Sequence, residues 1–415
     1  MSTLLDQASL IFTPNAYKAG TLYSVKPEDG VGDFDFTRAT TATRVNSAGL
    51  IETVATGVPR LDYPFIDGVV QGCPSLLLEP TRSNLILTSA EGDYGNSPAS
   101  ETNTISPDGT NNAVIPTPDS DSDRYEYTIN GGTYSTNTKL SYSWYRKRIS
   151  TPIITSHIGD LRLYVLVNCT QVGNTTQIES DVNGFDRFQA IFNITDGSAS
   201  GIIRAYFGQI VGAGNSSVAY FGHQLEAGSY ATSYIPTSGS AVTRNEEVAN
   251  GAGDASTFND SEGVLFAEIS ALANDGTFRL LSVSDGSNNN TVKIGYRSTS
   301  DAIYYEIRSG GTSQAFQIYT TIDVKQFNKV AVLYQQNNFK LYINGTNVLS
   351  DVSGITPVGL NDLSFNAGGS GAGDFFGEVK EAIYFNEALT DAELENLTSW
   401  DSFIELAQGQ QYIIY

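Results

Sequence analysis

The stretch Ala302-Ile303-Tyr304-Tyr305-Glu306-Ile307-Arg308 alternates apolar side chains with polar or amphipathic ones. Successive side chains of a strand point to opposite faces, so Ile303, Tyr305 and Ile307 would share one face. The same period of two recurs at 140–145, 292–297, 316–319 and 339–343. This repeated pattern predicts half-buried strands.

The composition also favours strands. The 415 residues include 40 Gly, 23 Tyr and 20 Phe, which suit short strands joined by tight turns. One helix is predicted at 389–397, where Thr390 is a candidate N-cap and Glu393 follows three residues later as in a capping box. We therefore expect an all-β, multi-domain protein with two β-sandwiches after a small N-terminal β module.

The charge balance restricts the classes of partner. Lys plus Arg total 23 against 45 Asp plus Glu, a net charge of −22. This field repels phosphate backbones and anionic lipids, and no basic run with interleaved aromatic residues offsets it. We expect neither nucleic acid nor a membrane as partner. The N-terminus lacks a basic region followed by an apolar core, so no signal peptide is expected.

Breaks in composition predict the domain layout. Polar stretches at 91–123 and 236–240 are typical of linkers. The predicted regions are an N-terminal module at 1–92, a β-sandwich at 93–245, a second β-sandwich at 246–400 and a tail at 401–415. Cys73 and Cys169 fall in different regions, so we expect two free, buried thiols and no disulfide.

Three groups of motifs resemble known families. Residues 35–52, 59–63 and 73–85 resemble a module of bacteriophage virion proteins. Residues 221–237 and 241–244 resemble the end of a carbohydrate-binding-module-like sandwich that recurs beside it. Residues 340–345 and 377–394 resemble the closing strands of the concanavalin A-like/laminin G-like family, which implies that the C-terminal sandwich is a jelly roll.

The resemblance implies a bacteriophage structural protein of a tail fibre, head fibre or capsid decoration. Its N-terminal module would anchor it to other virion proteins, and its sandwiches would adhere to a bacterial surface glycan. It would be located in the virion after assembly in the host cytoplasm, as a homo-oligomer, with a trimer among the expected states. Two alternatives stay open: a tailspike polysaccharide depolymerase, and a purely structural assembly protein without a glycan ligand.

Catalytic patterns argue against an enzyme. Glucanases on the concanavalin A-like fold carry Glu-x-Asp-x-Glu on one strand, which keeps nucleophile and acid on one face. The sequence has no such triplet, since Glu378 and Glu381 lack the central Asp, and its histidines are only His157 and His223. We expect no catalytic residues and no cofactor. Because laminin G-like folds often hold calcium, the resemblance also points to three loop acids as candidate Ca²⁺ ligands, namely Asp275, Asp285 and Asp301.

The candidate binding residues are the polar partners in the alternating C-terminal strands. They are Tyr304, Glu306, Arg308, Gln317, Tyr319 and Tyr342. If these strands share one sheet, its outer face would combine aromatic rings with planar hydrogen-bonding groups, as sugar recognition requires. An ordinary polar outer face and a protein–protein contact remain alternatives.

Overall fold

The structure is a computed structural model that describes residues 4–63, 65–66, 69–70, 72–89, 100–116, 135–148, 161–165, 169–195, 203–207, 218–369 and 373–400. It is 50% strand and 4% helix, so the all-β prediction is confirmed. Among these described ranges, no helix is long and apolar enough to cross a membrane.

The strands are numbered in chain order. Those of the N-terminal segment, after a 3₁₀ helix at Leu4–Gln7, are β1 (Leu10–Phe12), β2 (Tyr17–Lys18), β3 (Thr21–Leu22), β4 (Phe34–Thr37), β5 (Ala42–Val45), β6 (Ile51–Val54), β7 (Leu61–Asp62), β8 (Phe65–Ile66), β9 (Val69–Val70), β10 (Ser75–Leu78) and β11 (Arg82–Asn84). Those of the middle segment are β12 (Ser100–Thr104), β13 (Ala113–Pro116), β14 (Lys139–Arg148), β15 (Leu161–Val165), β16 (Cys169–Val182), β17 (Phe185–Ile194), β18 (Ile203–Phe207), β19 (Val218–Ala227), β20 (Val242–Arg244) and β21 (Val248–Asn250). Those of the C-terminal segment, before helix α1 (Asp391–Thr398), are β22 (Glu262–Ala271), β23 (Arg279–Ser284), β24 (Thr291–Tyr296), β25 (Ala302–Ser309), β26 (Thr312–Thr320), β27 (Asn328–Gln335), β28 (Asn338–Ile343), β29 (Thr346–Asp351), β30 (Asp362–Ser364) and β31 (Gly377–Phe385).

The C-terminal segment forms a sandwich of two antiparallel sheets. One has five strands in the order β26-β25-β24-β23-β30. The other, called here the long sheet, has eight, in the order β29-β28-β27-β22-β31-β10-β7, with β1 also paired to β31. Leu281 and Ile294 from the first sheet share one buried cluster with Leu265 and Val332 from the long sheet. The domain core therefore lies between the two sheets.

The N-terminal segment contributes strands to this C-terminal sandwich. β1 pairs with one end of β31, with Leu10 opposite Tyr384, and β10 pairs with the other end, with Leu76 opposite Val379. Leu10 and Leu76 are fully buried in the same core cluster. The predicted boundaries 1–92, 93–245 and 246–400 stay a prediction, but the second sandwich is completed by strands that lie before residue 93.

The middle segment contains a six-stranded sheet in the order β12-β13-β19-β14-β17-β16. The sequence predicted a half-buried strand at 140–145, whereas all six of these residues are buried. β14 lies between β17 and β19, and its second face is covered by the chain around Thr232. There Arg187 donates to Ser143 Oγ at 3.1 Å and to the Thr232 carbonyl at 2.7 Å.

The cysteine prediction is partly wrong. Cys73 is a free thiol, as expected, but it is exposed rather than buried. The side chain of Cys169 lies outside the described residues, so its predicted state stays a prediction.

A buried charge cluster joins the N-terminal segment to the residues after β19. Its members are Arg38, Arg60, Glu79, Arg244 and Glu247, each at most 2% exposed. At the centre, the Arg60 Nε donates to Glu247 Oε1 at 2.7 Å and its Nη1 lies 2.7 Å from Glu79 Oε2. Arg38 pairs with Glu247 and Arg244 with Glu79, each at 2.7 Å. Burial opposes the charged form of Glu79, but Arg244, Arg60 and hydrogen bonds from Ser233 outweigh it and lower the pKa of Glu79 to about 2.

This buried charge cluster accounts for several of the motifs identified in the sequence. Arg38, Arg60, Glu79 and Arg244 lie in the stretches 35–52, 59–63, 73–85 and 241–244, and Glu247 follows three residues later. A buried charge without its partner costs several kcal/mol, so these residue types depend on one another. In this chain, therefore, the charged positions of the motifs hold distant segments together.

The helix prediction is confirmed. Thr390 caps α1, and its side chain and that of Glu393 form both bonds of a capping box. The apolar face of α1, including Leu394 and Leu397, packs on the outer face of the long sheet. This helix covers the side of that sheet that faces away from the core.

Candidate functional site

The candidate site is the outer face of the five-stranded sheet. The alternation read from β25 is correct, because Ile303, Tyr305 and Ile307 lie in the core between the sheets. Tyr304, Glu306 and Arg308 therefore project from the opposite face. The part of this face near β30 is covered by the segment 366–369, where Ser282 Oγ donates to the Asn366 carbonyl at 2.8 Å. The part formed by β24, β25 and β26 carries the candidate residues.

A polar network centres on Glu306. The Tyr304 hydroxyl donates to Glu306 Oε2 at 2.7 Å, and Arg308 Nη1 lies 3.3 Å from Oε1. Lys293, opposite Glu306 in the register of β24, places its Nζ 3.8 Å from Oε2. Burial and the adjacent carboxylate raise the pKa of Tyr304 above its usual range, so the hydroxyl stays protonated and donates at neutral pH. Both oxygens of Glu306 are thus engaged within the protein.

An arginine surrounded by three aromatic rings lies beside this network. The Arg297 Cζ is 5.0 Å from the centroid of Tyr304, 5.3 Å from that of Phe278 and 5.6 Å from that of Phe316. These distances lie within the range of cation–π attraction. Phe278 is 43% exposed and Phe316 45% exposed, whereas Tyr304 is only 5% exposed beneath them. The aromatic surface available to a ligand is therefore formed by the two phenylalanines.

The orientation predicted for β26 is wrong. The pattern placed Phe316 and Ile318 in the core and turned Gln317 and Tyr319 outward, but Ala315 is the buried core residue. Ala315 pairs with Ile307 and Tyr319 with Ile303, so Gln317 and Tyr319 lie on the core side of this strand. Tyr319 packs against the core cluster. β26 is an edge strand with a bulge opposite Ile307 and Arg308, and there the apolar pattern does not fix the register.

Tyr342 does not belong to the candidate face. Its assignment to this face requires that 339–343 share a sheet with β25, but these residues form part of β28 in the long sheet. Tyr342 is 4% exposed and packs with Leu394 of α1. The assumption failed because alternation indicates which side chains share a face of a strand, not which strands share a sheet.

Two predicted contact residues are less accessible than expected. Tyr304 is 5% and Glu306 8% exposed, although both were expected on an outer face that contacts a ligand. Arg308, whose side chain is 27% exposed, remains accessible. Lys293 and Arg297 alternate with Val292, Ile294 and Tyr296 and so lie on this face, although they are not among the predicted contact residues. Phe278 was missed because it precedes β23, although it has the same parity as the outward-facing Ser282.

The aspartates proposed for calcium do not form one site. Among the described residues, no group of three or more His, Cys, Asp or Glu is placed to hold a metal ion. Asp275 pairs with Arg279 at 2.8 Å, and Asp285 accepts from the Asn290 amide at 2.8 Å. Asp301 Oδ1 accepts from the Asn274 amide at 2.6 Å. These residues do not fit a shared calcium ion, so no role is derived for one.

Solved structures resemble parts of the chain only weakly. The carbohydrate-binding module CBM40 of the Ruminococcus gnavus IT-sialidase, bound to α2,3-sialyllactose, is 18% identical over 35% of this chain and 92% of its own, with a TM-score of 0.31. Domain 4 of the arabinanase AbnA from Geobacillus stearothermophilus, in complex with arabinotriose, is 13% identical over 37% and 73%, with a TM-score of 0.28. Domains LG4-5 of the mouse laminin α1 chain are 10% identical over 65% and 92%, with a TM-score of 0.24. Overlaps this low do not support a function.

Sequence comparison is more specific for the C-terminal segment. No curated protein matches the chain. Residues 254–395 match the sequence model of the concanavalin A-like lectin/glucanases superfamily. This range contains strands β22 to β31, which belong to the two sheets of the sandwich, and it includes the candidate face. The sandwich formed by these strands is a concanavalin A-like domain.

Proposed function

We propose that the concanavalin A-like domain binds glycans on a bacterial surface through the outer face of its five-stranded sheet. The observation that carries this proposal is the exposure of Phe278 and Phe316, at 43% and 45%, with ring centroids 5.3 and 5.6 Å from the Arg297 Cζ. Exposed rings offer apolar surface to the C–H face of a sugar, and a guanidinium offers hydrogen bonds to its hydroxyl groups. The superfamily description, lectin/glucanases, supports this class of ligand.

The residues of this face support glycan binding without cleavage better than they support glycoside hydrolysis. Glycoside hydrolysis requires two carboxyl groups flanking one bond. On the part of this face formed by β24, β25 and β26 the carboxylate is Glu306, and Tyr304 and Arg308 occupy its oxygens. A tailspike depolymerase remains the alternative, and release of reducing ends from host polysaccharide would favour it.

We also propose that the chain is a bacteriophage virion component of a fibre, tail or capsid decoration. This role is supported by the resemblance of 35–52, 59–63 and 73–85 to a virion module, and of 221–237 to the end of a carbohydrate-binding-module-like sandwich that recurs beside it. The N-terminal segment would contact other virion proteins, and the chain would assemble as a homo-oligomer in the host cytoplasm. Mass spectrometry of purified phage particles tests the proposal: the chain is expected among their proteins, and its absence from them would contradict it.

Glycan binding is tested with Phe316→Ala. Loss of one stacking ring should weaken binding to host surface polysaccharide by about 1 kcal/mol, roughly fivefold. Val352→Ala is the matched control, because Val352 is an exposed apolar residue, 79% accessible, outside the face. Equal binding by wild type and both variants in isothermal titration calorimetry would exclude the face as the site. A purely structural assembly protein would bind no polysaccharide in any form.

A further inference from the structure

The outer face of the five-stranded sheet differs in charge from the whole chain. The chain carries a net charge of −22. On the part of this face formed by β24, β25 and β26, however, Lys293, Arg297 and Arg308 accompany one carboxylate, that of Glu306. The local balance is therefore positive. On this basis, and resting on the proposed function, we infer that the ligand is an acidic glycan whose carboxylate is bound by Arg297.

The three cations differ in how their donors are used. Arg308 donates to Glu306 and to the Gly311 carbonyl. Lys293 donates to Asn288 and lies near Glu306, and burial lowers its pKa. The described contacts of the Arg297 side chain are all with rings, and no hydrogen bond from its guanidinium to a described residue occurs. Among the three cations, Arg297 is thus the one whose guanidinium N–H groups are available to bind a ligand.

The geometry around Arg297 suits a carboxylate. The guanidinium is planar and has five N–H donors, and ring contacts restrict its position without consuming them. A carboxylate can accept two parallel bonds from such a group, which a sugar hydroxyl cannot do. Phe278 and Phe316 would then contact the apolar face of the same or the adjacent sugar. The arrangement fits a uronic or sialic type of sugar better than a neutral one.

The acidity of the chain does not prevent this contact. At physiological ionic strength, exposed charges more than about 8 Å apart are largely screened. The carboxylate would therefore respond mainly to the cations of the face, while the distant acids contribute little.

The test uses the full chain and an array of bacterial polysaccharides in two forms. One form is native, and in the other the carboxyl groups have been reduced to alcohols. The wild-type chain should bind the carboxylate-bearing glycans in their native form and should not bind them after their carboxyl groups have been reduced. Arg297→Gln should weaken that binding about 10- to 100-fold, as expected for a charge-assisted pair. Arg297→Lys keeps the charge but not the bidentate geometry, so its affinity should lie between those of wild type and Arg297→Gln.

Arg44→Gln is the control, because it makes the same change of charge in a pair with Glu52 away from the face. It should bind like wild type, and thermal melting should show that every variant is folded. Binding that survives carboxyl reduction and depends on Phe316 but not on Arg297 would overturn this inference while leaving the proposed function intact. A blank array in both forms would overturn both.

Discussion

Glu247→Gln tests whether the buried charge cluster holds the chain together. The Glu247 carboxylate accepts from Arg38 Nη1 and Arg60 Nε at 2.7 Å each, from Arg60 Nη2, and from the Glu79 backbone N–H at 3.0 Å. Glutamine keeps the shape, so no cavity forms. It removes the charge, however, and turns an amide N–H₂ towards at least one guanidinium group, because each carboxylate oxygen of Glu247 accepts from an arginine.

The magnitude follows from these contacts. Hydrogen bonds to charged groups contribute about 1.5–3 kcal/mol each, and at least one of the arginine contacts is lost. Breaking a buried pair by removing one partner costs about 3–5 kcal/mol, and we expect the free energy of unfolding to fall by that amount. The reason is that Arg38 and Arg60 remain buried with less counter-charge.

The assay is urea unfolding followed by tryptophan fluorescence and circular dichroism. Glu52→Gln is the control, since Glu52 makes a similar pair with Arg44 at 2.7 Å but its side chain is 36% exposed. We expect that control to cost no more than about 1 kcal/mol. Equal and small losses for both variants would refute the view that the cluster stabilises the fold.

Three further predictions follow from the burial of particular groups. The pKa of Glu79 is lowered to about 2 from an ordinary 4.5. The contribution of its carboxylate to the free energy of unfolding is therefore complete above pH 4.5 and is lost as the pH falls towards 2. Acid titration should therefore show a loss of roughly 3 kcal/mol in that window, and a smaller slope in Glu79→Gln. Tyr304→Ala, 5% exposed in the wild type, should lose about 3 kcal/mol in urea unfolding, and a loss below 0.5 kcal/mol would contradict its burial. A fragment of residues 254–400 lacks β1 and β10, which bury Leu10 and Leu76, and should melt lower than the full chain or fail to fold; an unchanged melting temperature would count against the shared sheet.

The sequence predicted local structure well and long-range pairing poorly. The alternation in β25 and the capping box at Thr390 depend on neighbours within a few residues, and both were predicted correctly. The insertion of β1 and β10 beside β31 joins residues more than 300 positions apart, and no local pattern encodes it.

For the candidate face, too, assignments within a strand were more successful than those that depend on how strands pair. Tyr304, Glu306 and Arg308 were assigned to the correct side of their strand, whereas Tyr342 was assigned to the wrong sheet. Phe316 was misplaced because its hydrophobicity favoured the core, while the register at an edge strand turned it outward. Arg38, Arg60 and Glu79 were recognised only as parts of motifs, since their pairing depends on the folded chain.

The most direct test of the central claim is a crystal structure of the full chain with an oligosaccharide that it binds. We predict density for a sugar ring in van der Waals contact with Phe278 or Phe316, with its polar groups hydrogen-bonded to Arg297. A sugar bound on the six-stranded sheet of the middle segment, or on the loop at 352–358, with the outer face of the five-stranded sheet left free, would contradict the account.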